Sequence, residues 1–147
     1  MESRFQASAA SSILRRVLET YALPPDSPFI NQFLNLLYAE KPEAGALTSF
    51  VTDRIWETPQ AVMAHRLAQL EQFDVTDRLW RLDVPTLVLA GSKDAIIPAP
   101  RQRRLALEIS GARFETIEGA GHIGFVTHAA QTTRQVLDHC RRVKAAV

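Results

Sequence analysis

The sequence holds a single cysteine, Cys140. No internal disulfide can form, and no thiol-rich metal site can be built. Charge of one sign is lacking too: 17 Lys and Arg against 16 Asp and Glu leave a formal net charge of +1. The basic residues are interleaved with acids, as at Arg78, Arg81 and Asp83. Nothing in the charge therefore points to nucleic acid or an anionic membrane. No apolar run approaches the roughly 20 residues that a membrane-spanning helix needs. Met1 to Ser12 is rich in Ser and Ala but has no apolar core of a secretory signal, and Glu2 and Glu19 count against a transit peptide. Cytoplasmic is the expected location. What is present is ordinary for a soluble globular protein: 147 residues, 46% hydrophobic and 22% charged, about one domain's worth of chain.

The first half reads as short amphipathic helices without a strand or an internal repeat. Met1 to about Ser11 is expected to be frayed. Ile13, Leu14, Val17, Leu18 and Tyr21 recur at helical spacing. The proline-rich run from Leu23 to Pro28 stops that helix, and Ser27-Pro28 has the form of an N-cap followed by proline in the first turn. Phe29, Phe33, Leu36 and Leu37 form the apolar face of a second helix, which Lys41-Pro42 breaks. Leu47, Phe50, Val51 and Ile55 predict a third. Thr58-Pro59 repeats the cap-then-proline signal before a fourth stripe at Met63, Leu67 and Leu70.

The pattern changes at Asp74. Val75 to Leu82 is a short transitional segment with Leu79, Trp80 and Leu82 available for packing. Thr86-Leu87-Val88-Leu89-Ala90 is apolar without alternation, as in a parallel strand buried on both faces, and Gly91 ends it. Pro100 to Ser110 predicts a helix with Leu105, Ala106 and Ile109 inward, closed by Gly111 as a C-cap. Ala112 to Ile117 is a second strand, followed by the turn Glu118-Gly119-Ala120-Gly121. Thr127 is expected to cap a last helix to about Lys144, with Val136, Leu137, Cys140 and Val143 inward. A strand-helix-strand unit makes a parallel pair. Chemistry in such sheets lies outside the carboxyl ends of the strands, which is where Asp94 and His122 fall.

The run Pro85 to Pro98, reading PTLVLAGSKDAIIP, together with Gly119-Ala120-Gly121-His122, resembles the C-terminal part of the α/β-hydrolase superfamily over about Phe73 to Arg142. The resemblance implies an α/β fold class: a partial α/β-hydrolase fold, with a helical cap-like region over residues 1–72 and the C-terminal part of the core over 73–147. It makes the two strands the seventh and eighth of that fold, Asp94 the triad acid and His122 the triad histidine. Asp94 would then accept a hydrogen bond from one ring nitrogen of His122, and the other nitrogen would act as general base. Gly119 and Gly121 would let the backbone present the imidazole without crowding. The family's nucleophile sits in a G-x-S-x-G turn. None of Ser3, Ser8, Ser11, Ser12, Ser27, Ser49, Ser92 and Ser110 is framed by glycines in that way. No glycine-framed aspartate replaces it, and the His-Gly oxyanion motif is missing.

The reading is therefore hydrolysis of an ester or related acyl bond by an Asp-His pair. The nucleophile is absent from this chain, as in a truncated or split enzyme. A non-catalytic hydrolase-fold remnant or binding module, and a helical interaction protein, are the alternatives. The expected partners are a small-molecule substrate and either an N-terminal hydrolase half or a second copy joined through an exposed strand edge, since two parallel strands alone leave two edges unpaired. No nucleic acid, no membrane, no cofactor and no metal is expected.

Simpler readings stand beside several residues. Asp94 also suits a turn cap. His65, His128 and His139 lie on predicted helices as surface or core-edge residues, and no acidic or thiol cluster joins them. Cys140 reads as core. Arg101, Arg103 and Arg104 read as the solvated face of one helix. Phe29, Phe33, Phe50, Trp56 and Met63 either line an apolar substrate pocket or simply pack helices together.

Overall fold

The structure, a computed structural model, describes residues 9–24, 27–40, 43 and 45–145. Of the stretch to about Ser11 expected to be frayed, residues 1–8 lie outside the described residues and Ala9–Ser11 instead open the first helix; the breaks at Pro25-Asp26 and Lys41-Pro42 lie outside the described residues. Among the described residues ten elements follow in order: α1 (Ala9–Thr20), α2 (Pro28–Leu37), α3 (Ala46–Trp56), α4 (Gln60–Gln72), a 3-10 helix (Thr76–Arg81), β1 (Leu87–Gly91), α5 (Ala99–Leu107), β2 (Arg113–Ile117), the single turn α6 (Gly124–Thr127) and α7 (Ala129–Ala145). They form two compact units. One takes the chain up to Asn35 together with Glu40–Asp74; the other takes Leu36–Ala39 and Val75 onward.

In the helical unit α1 packs on α4. Leu14, Leu18 and Ala64 are buried, one side of each helix. Ile13 and Tyr21, counted in the same stripe by spacing, are exposed, as is Leu70 of α4. In α3 only Val51 is buried. The helix announced by Thr58-Pro59 starts one residue later than expected: Pro59 is itself the N-cap of α4, and no side chain caps the helix. Gln60 instead serves the end of α1. Its Nε2 donates to the Leu18 carbonyl at 2.6 Å and to the Tyr21 carbonyl, while its Oε1 accepts from the Leu23 amide at 3.1 Å. One side chain thus satisfies two carbonyls at the end of α1, where a helix leaves its carbonyls open, and one amide of the segment that follows. Gln60→Ala is expected to cost about 1–3 kcal/mol. That is a drop of about 3–8 °C in the helical melt followed by circular dichroism; an unchanged melt would show the bonds to be idle. A groove in this unit is lined by Leu18, Tyr21, Gln60, Ala64, His65 and Ala68 among others, and by none of the five apolar residues named for a pocket.

In the second unit β1 and β2 pair in parallel, Leu87 opposite Arg113 through Gly91 opposite Ile117. The α/β class and the partial α/β-hydrolase arrangement follow: α5 crosses between the strands, and α5 and α7 both pack on them. β1 is not covered on both faces throughout. Leu87 to Leu89 are half-buried and only Ala90 is fully enclosed, because among the described residues the sheet has two strands. The transitional segment is a 3-10 turn that buries Leu79 and exposes Trp80 and Leu82.

Other expectations on inward faces are corrected. Ala106 and Ile109 are buried but Leu105 is exposed. Helix α5 ends at Leu107 with Glu108 as its C-cap, and Gly111 lies further on in the turn with φ 68°. Helix α7 buries none of its residues: Val136, Leu137 and Cys140 are exposed and Val143 is half-buried. Thr127 does not cap it. It ends α6, and its hydroxyl bonds the His128 ring. A polar contact ties α7 to β2 instead: Arg113 reaches Asp138 at 3.3 Å, and Arg142, one turn on along α7, holds the same carboxylate at 2.9 Å. The hydrogen bond from Arg142 holds the Asp138 carboxyl below the usual carboxylate range. On α5, Arg103 is exposed but lies over the Phe114 ring at 4.5 Å, so it does more than solvate a helix face.

Candidate functional site

Two turns leave the carboxyl ends of the paired strands side by side. The turn after β1 runs Ser92 to Pro98, and the turn after β2 runs Glu118 to Ile123. Main-chain bonds lace them together. Ser92 donates its amide to the Ile117 carbonyl at 3.1 Å, Lys93 to Ala120 at 2.9 Å, and the Gly119 amide donates to the Ser92 hydroxyl at 2.9 Å. The approach is so close that a Cβ on Gly91 would lie 2.3 Å from the Gly121 carbonyl oxygen. Only glycine fits there.

This lacing brings Asp94 and His122 together. Their side chains meet with Asp94 Oδ2 at 3.0 Å from His122 Nδ1, across 28 residues of sequence. A carboxylate can only accept, so Nδ1 carries the hydrogen and donates. In the neutral form of the ring this leaves a lone pair on Nε2, to which no described residue is bonded. The Asp94 side chain is 3% exposed and that of His122 32%. The carboxylate is therefore held in the protein while the ring opens toward solvent.

The two readings of Asp94 divide its carboxylate between them. Oδ1 accepts from the Ile96 and Ile97 amides at 2.9 Å each, the turn-capping use of an aspartate. Oδ2 faces His122. It also accepts from Gln102 Nε2 at 3.3 Å, and the same nitrogen donates to the Ile97 carbonyl at 2.8 Å. Sequence reasoning did not single out Gln102. Its one signal is that it is the uncharged polar residue in the arginine-rich first turns of α5.

Behind His122 the turn rests on a second piece of main chain. The Ile123 amide donates to the Leu37 carbonyl at 3.2 Å. A Cβ on Gly121 would lie 2.5 Å from the Ala39 nitrogen, 2.7 Å from the Tyr38 carbonyl carbon and 2.8 Å from the Leu37 oxygen. Tyr38 is buried, which pushes its phenol upward. No local signal in the sequence marks Leu37–Ala39 as part of the site.

The other histidines lie outside the pair. His128 bonds the Thr127 hydroxyl at 2.9 Å, His139 bonds the Pro85 carbonyl at 3.3 Å, and His65 is exposed on α4. Among the described residues no group of three or more His, Cys, Asp or Glu could hold a metal ion, and no helix is long and apolar enough to cross a membrane.

The model of the Alpha/beta hydrolase family matches residues 2–135. A pimeloyl-[acyl-carrier protein] methyl ester esterase of Neisseria meningitidis is 33% identical over 102 residues, 68% of this chain and 39% of that one. The chain thus spans well under half the length of that relative. Among solved structures, a thermophilic esterase from Thermogutta terrifontis superposes with a TM-score of 0.73 at 28% identity, covering 97% of this chain and 53% of the other. A hydrolase from Pseudomonas aeruginosa, at 22% identity, shares the fold with a TM-score of 0.77 over 92% of this chain and 51% of its own.

Proposed function

The chain belongs to the alpha/beta hydrolase family, and from that premise we propose that Asp94 and His122 are the acid and the base of an ester-hydrolysing site. The observation that carries this is the 3.0 Å bond between Oδ2 and Nδ1 at the carboxyl ends of two paired parallel strands. The esterases among the relatives support the acyl-ester class.

In this reading the nucleophile is a serine in a segment outside these 147 residues, since no G-x-S-x-G occurs within them. His122 Nε2 takes the serine proton as the oxygen attacks the ester carbonyl. Asp94 holds the ring's tautomer and stabilises the imidazolium. The proton then passes to the departing alkoxide, and the same ring activates the water that releases the acid. The outer edges of β1 and β2 carry no further strand among the described residues. Strands from the nucleophile-bearing half, or from a second copy, are the natural occupants of those edges.

The test is assembly. The chain alone should hydrolyse p-nitrophenyl acetate no faster than free imidazole. Fused to the nucleophile-bearing half of the Neisseria relative, it should turn the ester over with a burst of acyl-enzyme. Equal rates with and without that half would refute the reading.

A further inference from the structure

We infer that the main chain of Leu37–Ala39 is a positioning brace for His122, a role separate from that of Asp94. The inference rests on the reading of His122 as the base. Asp94 fixes how the imidazole is turned, through Nδ1. It does not fix where the ring's Cα stands. That is set by the turn Gly119–Ile123, which is gripped from two sides. On one side is the end of β1, where Gly91 meets the Ala120 and Gly121 carbonyls and Lys93 donates to Ala120. On the other side is the segment Leu37–Ala39.

Three observations make this second side a fitted contact. The residue immediately before His122 has no Cβ, and any Cβ there would lie within 2.8 Å of three different main-chain atoms of the segment. The residue immediately after His122 donates its amide to the Leu37 carbonyl at 3.2 Å. The segment is itself anchored, because Tyr38 at its centre is only 7% exposed. His122 is thus flanked on both neighbours by contacts to one short stretch, although its own ring remains partly open. A general base must stand within hydrogen-bond reach of the proton it takes, and a shift of about 1 Å is worth about 100-fold in rate. The brace removes that shift.

The experiment uses two perturbations with two readouts. Gly121→Ala inserts a methyl into the contact. An amide-to-ester replacement at Ile123 deletes only the N–H that bonds Leu37, and serves where the alanine variant fails to fold. In the chain itself, the ring resonances of His122 report its Nδ1 hydrogen bond to Asp94. In the fused enzyme, p-nitrophenyl acetate kinetics report the base. The expected result is a displaced His122 signature in both variants, with the amide resonances of Leu87–Leu89 and Arg113–Glu115, the strand ends away from the turn, unmoved. In the fusion kcat should fall about 100-fold while KM stays within about threefold. Unchanged ring resonances in the ester variant would overturn the brace, and so would a loss confined to KM. If the ring moves as expected but the parent fusion shows no turnover at all, the brace stands and the catalytic reading falls.

Discussion

Replacing His122 by alanine in the fused enzyme is expected to lower kcat for p-nitrophenyl acetate by about five to six orders of magnitude, with little change in KM. The size follows from what the ring does in the proposed reaction. It takes the nucleophile's proton and returns it to the leaving group, both in transition states only, so kcat and kcat/KM should fall together. Among the described residues no second histidine shares this pair: His128 is bonded to Thr127, His139 to Pro85, and His65 lies exposed on α4. The residual rate should still exceed that of water by about a thousandfold, from the oxyanion hole and binding that the nucleophile-bearing half supplies. Asp94→Asn should be milder, about 10,000-fold, because the ring remains but its tautomer is no longer fixed. Steady-state kinetics on the three proteins decides the matter. A His122→Ala enzyme within tenfold of its parent would end the assignment.

The largest stability loss should come from Asp94→Ala, at about 3–5 kcal/mol in urea unfolding of the chain. Four donors converge on this carboxylate: the Ile96 and Ile97 amides, Gln102 Nε2 and His122 Nδ1. The side chain is almost wholly enclosed. Removing it takes the acceptor from the Ile96 and Ile97 amides outright, while Gln102 keeps the Ile97 carbonyl and His122 keeps its opening to solvent, and each orphaned group costs about 1–3 kcal/mol. Against a total stability of about 5–15 kcal/mol for a domain, this is a large fraction. Asp94→Asn keeps Oδ1 for the turn but sets an amide NH2 against two donors, and about 1–3 kcal/mol should go. His122→Ala should cost least of the three, under about 1.5 kcal/mol, since the ring is a third exposed and contributes one bond. If alanine at 94 costs no more than asparagine, the converging donors are not what holds the turn.

The strands and the turns after them were legible because their signals are local. The unbroken apolar run from Thr86 to Ala90 and the glycines on either side of Ala120 need no knowledge of distant residues. The adjacency of Asp94 and His122 was legible for a topological reason: a helix joining parallel strands returns the second carboxyl end to the edge of the first. Gln102 was not, because its contact depends on which way one carboxylate oxygen is turned. Neither was the contact of Gly121 with Leu37–Ala39, which joins stretches more than half the chain apart. The inward faces given to α5 and α7 fail at Leu105, Val136 and Leu137 for another reason. Periodicity says which residues share a stripe, while burial also requires something to lie on it.

The unit that holds Asp94 and His122 gathers the four residues Leu36–Ala39 from beyond a long excursion of chain, and this bears on the order in which the molecule forms. β1, α5 and β2 follow one another closely, so their pairing closes only a short loop. Bringing Leu37 onto Ile123 closes a much longer one, with the helices from Ala46 to Gln72 inside it. Each doubling of loop length adds about 0.6 kcal/mol of closure entropy. Contacts of that kind form after the local ones that reward them sooner. The histidine turn therefore acquires its final position late, once the strands on which it sits are already in place.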